Sequence, residues 1–151
     1  MTNESQIEVL NDLVRINNDR IEGYGKAIEN MKEDNGLLNP LFSSLQQDSR
    51  KNNQDLNAEI SKLGGTPDTG TTTGGKIYRA WMDVKATFGG DDAKAILESC
   101  EGGEDAAKRA YQTAMESGDL AGDTAALVAR QQGDQRAAHD KIKALRDQYK
   151  G

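Results

Sequence analysis

Apolar residues recur along the start of the chain at alternating steps of three and four: Ile7, Leu10, Val14, Ile21, Tyr24, Ile28 and Met31, with Asn17 as the one polar member. At 3.6 residues per turn these positions share one stripe of a helix, which predicts a helix over about 4–33. Asp34-Asn35-Gly36 stops it, and Pro40 suits the first turn of a second helix, about 40–63. The inward positions there are Phe42, Leu45, Ser49, Asn52, Leu56, Ile60 or Glu59, and Leu63, and Gly64-Gly65 supplies a left-handed stop. A third helix, about 91–117, is capped by Asp91 or Asp92 and carries Ile96 or Leu97, Cys100, Glu104, Ala107, Tyr111 and Met115. A fourth, about 124–149, turns Val128, Gln131, Gln135, Ala138 or His139, Ile142, Leu145 and Tyr149 inward.

The connections differ in length, and the difference predicts the topology. Helices one and two, and three and four, are separated by short breaks and pack as antiparallel hairpins. Between the second and third lies a Gly- and Thr-rich stretch, "TPDTGTTTGGK", then "IYRAWMDVKATF", a short helical piece over about 76–88 with Ile77, Trp81, Val84 and Phe88 on one side. A crossover of that length spans a bundle, so the expected fold is all-α, a ferritin-like four-helix bundle with a long helical crossover between helices 2 and 3, filling 1–151 as one domain. Trp81 is expected to pack the crossover onto the bundle, or else to anchor a homo-oligomer contact such as a dimer.

The polar members of the stripes are the candidate chemistry. Asn17 precedes Tyr24 by seven residues, as Glu104 precedes Tyr111. Ferritin-like di-iron sites take one Glu from each of two helices and a Glu-x-x-His from each of the other two, since two hard cations need bridging carboxylates and two imidazoles. Here the single-Glu positions hold Asn17 and Glu104. The paired positions hold Ser49 and Asn52, or Arg50 and Asn53, and Gln135 with Ala138 or His139, or Arg136 with His139. His139 is the only histidine and no Glu-x-x-His occurs.

A buried carboxylate must meet a cation or donors, so Glu104 is expected in a seam network with Asn17, Arg50, Gln135, Arg136 and His139. Glu98 and Glu101 fall on the flanks, as half-buried or solvated groups. Cys100 reads as a small buried apolar residue. The glycines around Tyr24, Gly23 and Gly25, and the Gly102-Gly103 pair cost about 1 kcal/mol each relative to Ala, and predict close approach of the first and third helices or a local bulge. "TPDTGTTTGG" lacks both the Lys-Ser/Thr ending and the preceding strand of a phosphate loop.

Composition narrows the partners. Nineteen basic against 25 acidic side chains give a net charge of −6, without a basic cluster. This opposes nucleic-acid binding, including DNA protection. No stretch approaches the roughly 20 apolar residues of a membrane span. One cysteine and a polar start, "MTNESQIEVLNDL", point to the cytoplasm.

"YRAWMDVKATFGGDDAKAILESCEGGEDAAKRAY", with "LNDLVRINNDRIEGY", "LGGTPD" and "HDKIKALRD", resembles an uncharacterised bacterial four-helix-bundle family of the ferritin-like superfamily, over nearly the whole chain. The resemblance implies a ferritin-like bundle in a cytoplasmic bacterial protein and brings no activity with it. The expected function is that of a non-enzymatic bundle lacking a complete di-iron site, a structural, interaction or stress-associated protein that needs no cofactor. The alternative is an iron- or manganese-binding oxidoreductase or iron-handling protein, with Glu104, His139, Glu101 and Glu22 as its reduced ligand set.

Overall fold

The structure, a computed structural model, describes residues 3–31, 38–70 and 93–148. Four helices account for most of them: α1 Asn3–Asn30, α2 Leu38–Lys62, α3 Ala93–Glu116 and α4 Gly122–Gln148. No strand occurs among the described residues, so the chain is an all-α, bundle-like protein. The crossover piece at 76–88, with Trp81, lies outside the described residues, as do Asp91, Asp92 and Tyr149.

The α2 stripe is the one the periodicity predicts: Phe42, Leu45, Ser49, Asn52, Leu56 and Ile60 are all buried, joined by Leu38 and Asn53. Pro40 stands in the first turn of α2, where its missing N–H has no intrahelical acceptor to lose. In α4 the choice between Ala138 and His139 resolves as both, and the helix starts at Gly122, two residues before the expected Thr124. The inward arc of α1 is wider than its apolar stripe. Leu13, Ile16, Asp19 and Arg20 are buried alongside Leu10, Val14, Asn17 and Tyr24, because α1 packs against both α2 and α3. Side chains such as Leu10, Phe42, Leu56, Leu97 and Ile142 reach 0% exposure, each stabilising the fold by about 1.5–3 kcal/mol relative to solvent.

Hydrogen bonds give the direction of every neighbour. Gln46 of α2 reaches the Ile21 carbonyl and Asn52 reaches Asn17, so α1 and α2 are antiparallel. Along α1, Asn17 meets Tyr111 and Tyr24 meets Glu104, so α3 also opposes α1. The pairs Tyr111 with Gln131 and Glu104 with Gln135 set α4 against α3. Asn52 with Gln131 and Glu59 with Thr124 set α4 against α2. It follows that α2 ends, and α3 begins, at opposite ends of the bundle. After α2 the chain runs along the polar side of α1: Thr66 accepts from Asn11, Asp68 pairs with Arg15, and the Gly70 carbonyl accepts from Asn18. Hydrogen bonding from the Gly70 amide, and then from Arg15, holds the Asp68 carboxyl below the usual carboxylate range.

Gly64 and Gly65 close α2 through amide bonds to Ser61 and Ile60, with Gly64 at φ 91°, a Schellman-type stop that needs the left-handed backbone. A Cβ at Gly64 meets no neighbour within 4 Å, so Gly64→Ala should cost only the backbone term, about 1–2 kcal/mol. Thermal unfolding should register it as a drop of a few degrees, while the same substitution at solvent-exposed Gly133, where a Cβ also meets nothing within 4 Å, should be neutral or stabilising. Gly25 faces α2, not α3 as its sequence context suggests. A Cβ there would stand 3.2 Å from Gln46 Nε2, which donates to the Ile21 carbonyl.

Candidate functional site

One polar network crosses the interior and touches all four helices. Its centre is Glu104, 0% exposed, clasped by the guanidinium of Arg20. Arg20 Nε donates to Oε1 at 2.9 Å and Nη2 to Oε2 at 3.0 Å, the parallel fork that arginine makes with carboxylates. Tyr24 donates its hydroxyl to Oε2 at 2.5 Å, and Gln135 Nε2 donates to the Glu104 carbonyl at 2.8 Å and to Oε1 at 3.2 Å. The third face of Arg20 is used too: Nη1 donates to Asn17 Oδ1 at 3.1 Å.

A second layer continues one turn away. Asn17 Oδ1 also accepts from Asn52, Asn17 Nδ2 donates to the Tyr111 oxygen at 2.9 Å, and the Tyr111 hydroxyl donates to Gln131 Oε1 at 2.9 Å. Gln131 closes the ring by donating to the Asn52 carbonyl. Helical spacing explains the assembly. Arg20 is three residues after Asn17 and four before Tyr24, so the three share a face of α1. The seven-residue offset from Glu104 to Tyr111 puts both on the opposing face of α3.

Charge follows from this packing. Burial works against the charge on Arg20, but the adjacent Glu104 carboxylate outweighs it and holds the arginine pKa above its ordinary value. Burial raises the Tyr111 phenol to about 12, against the Asn17 hydrogen bond and the Arg20 charge. Burial next to Glu104 raises Tyr24 well above its usual range.

The expected members of the seam divide into three groups. Asn17, Glu104 and Gln135 meet in the network. Arg50 and Arg136 do not: both are exposed, because α2 and α4 keep the registers that turn Ser49, Asn52 and Gln135 inward. The compensating cation is Arg20, from α1, where Ile21 was the expected inward residue. Ile21 is only half-buried.

His139 is buried at 5% exposure but stands apart from Glu104, at the edge between α3 and α4. Its Nε2 lies 2.9 Å from Asp105 Oδ1 and 3.8 Å from Glu101 Oε1, and its Nδ1 lies 3.1 Å from Asp140 Oδ1. Of the alternative ligand set, then, only Glu101 and His139 adjoin. Glu104 is engaged by Arg20, and Glu22 is exposed in a surface hollow with Gly25, Lys26 and Glu29. Asp105, which the stripe reading passes over, belongs to the His139 cluster. Its signal was the four-residue offset from Glu101, which puts both carboxylates on one side of α3. Cys100 is a buried thiol and not part of a disulfide.

A family model described as Domain of unknown function (DUF2383) matches residues 5–117, a span that takes in α1 from its third residue, α2 and α3. No curated protein matches the chain.

Proposed function

We propose that this chain, which belongs to the DUF2383 family, is a ferritin-like bundle whose interior ion position is filled by its own arginine. On this reading it acts through its surface, as a structural or interaction protein of a stress-associated kind, without an enzymatic centre. The opposed ends of α2 and α3, and the ascent of residues 66–70 along α1, support the ferritin-like connection. The resemblance to a bacterial family supports a cytoplasmic bacterial setting, and a homodimer is the proposed assembly.

The observation that carries the reading is the Arg20 fork on Glu104. In a di-iron bundle the seam carboxylates converge on cations. Here the carboxylate at the centre of the seam, Glu104, already accepts through both its oxygens from Arg20, Tyr24 and Gln135. A metal ion would have to displace this buried guanidinium, whose side chain is 2% exposed.

Elemental analysis of protein purified without chelator tests this directly. Iron or manganese should not be held as an interior pair, and Glu104→Gln, although it lowers stability by leaving Arg20 without its counter-charge, should leave the metal content of the folded protein unchanged. Two tightly bound ions per chain, lost together in Glu104→Gln, would overturn the proposal in favour of the iron or manganese oxidoreductase.

A further inference from the structure

We infer that Glu101, Asp105 and His139 form a site for a single divalent transition-metal ion, zinc in the first place, with one coordination position left to water. The inference goes beyond the function proposed above and does not rest on it, since none of the three residues belongs to the Arg20–Glu104 network.

The three ligand atoms lie within 4.8 Å of one another. Ligands around a tetrahedral zinc ion, bonded at about 2.0–2.2 Å, stand roughly 3.3 Å apart. The two observed separations from His139 Nε2, 2.9 and 3.8 Å, fall on either side of that value. Small rotations of two carboxylates therefore suffice to admit an ion where Nε2 now faces Asp105. A mixed set of one imidazole and two carboxylates suits zinc and neighbouring first-row ions better than calcium or magnesium, which favour all-oxygen shells.

What separates the cluster from an ordinary acidic surface is the support behind it. The His139 side chain is 6% exposed, so its ring is fixed by packing between α3 and α4. Its far nitrogen, Nδ1, faces Asp140 at 3.1 Å, the carboxylate–histidine arrangement that sets the tautomer of a metal-bound imidazole. The far oxygen of Glu101 pairs with Arg146 Nη1 at 3.3 Å, which leaves Oε1 toward His139. Asp105 is 44% exposed, so the open side of the cluster faces solvent and an ion can enter without unfolding the bundle. Two carboxylates from one helix and an imidazole from the next would then tie α3 to α4.

The test is a Zn2+ titration of the full, metal-stripped chain by calorimetry, with Co2+ absorption as a spectroscopic readout. One ion per chain is expected, and Co2+ should show the intense visible bands of a four-coordinate ion. Losing an outer partner of a metal ligand costs about 10–100-fold in affinity, so Asp140→Asn should weaken binding about tenfold. His139→Gln and Asp105→Asn, which remove ligands, should weaken it about 100-fold or more. Asp105 is exposed enough that its variant should fold normally, as circular dichroism will show. Absence of saturable Zn2+ binding, or an affinity unchanged in both ligand variants, would overturn the site. Binding lost in Glu104→Gln but retained in Asp105→Asn would also overturn it, and would in addition count against the proposed function.

Discussion

Arg20→Leu should destabilise the protein by about 3–5 kcal/mol, the usual cost of leaving one member of a buried ion pair behind. The residue left behind is Glu104, at 0% exposure, with the Tyr24 hydroxyl and the Gln135 amide, among the described residues, still donating to its carboxylate. For a chain of this size each kcal/mol lowers the melting temperature by roughly 2–4 °C, so the midpoint should fall by about 10 °C. Glu104→Leu should be comparably damaging, because it strands a buried guanidinium. The combined variant should recover most of the loss, since apolar residues of similar volume often replace a buried pair without penalty. A double-mutant cycle by thermal or urea unfolding measures this coupling. Additive single effects would show that the two charges do not depend on one another, and the central claim about the seam would fall. The same cycle separates stability from specificity, because the double variant also loses the polar layer that fixes how four helices register. A double variant that is stable but binds hydrophobic dyes, or loses dispersion in its spectra, would place the value of the pair in specifying one packing.

Much of this arrangement was legible in the residue pattern, and the part that was not has a physical explanation. In α2, which packs chiefly on one neighbour, the rhythm of Phe42, Leu45, Ser49, Asn52, Leu56 and Ile60 marks the buried face directly. In α1 the apolar stripe points to Ile21 rather than to its neighbour Arg20, since charged side chains are rarely buried. The helix has two packed neighbours, so its buried arc extends past the apolar stripe and takes in Arg20. Burial of Glu104 follows from its place on the α3 stripe, but its partner could not be chosen between helices without their relative heights. Arg50 and Arg136 each follow a buried residue, Ser49 and Gln135, and so stand about 100° off the buried face of their helices. The His139 cluster was half visible. Glu101 and His139 are candidates from the sequence, whereas Asp105 sits beside Glu104 and therefore about 100° away around the helix, off the apolar stripe.

Alkali should destabilise the protein progressively above about pH 10, and the cause is the pair of tyrosines at the seam. Tyr111 is raised to about 12 by burial, and Tyr24 is raised well above its usual range by burial and Glu104. A tyrosine in the unfolded chain titrates near 10. Below that value both states carry the proton and the full stability is present. Above it the unfolded chain loses protons that the folded chain retains, so stability falls with rising pH by about 1.4 kcal/mol per unit for each tyrosine. Across the window from 10 to the folded value of Tyr111 that amounts to roughly 2–3 kcal/mol from Tyr111 alone, and Tyr24 acts in the same direction. Arg20 gives no compensation on this side, since its own pKa is raised and it stays charged throughout. Circular dichroism and tyrosinate absorbance, followed together against pH, provide the check: loss of helix should coincide with ionisation of the two seam tyrosines. Tyr111→Phe removes one of the two linked groups and gives up the hydrogen bonds to Asn17 and Gln131. It should therefore be less stable at neutral pH yet show a shallower decline above pH 10. If all four tyrosines of the chain ionise near their ordinary value while the helical signal stays intact, Tyr24 and Tyr111 are not sealed in the interior, and the network built on them is wrong.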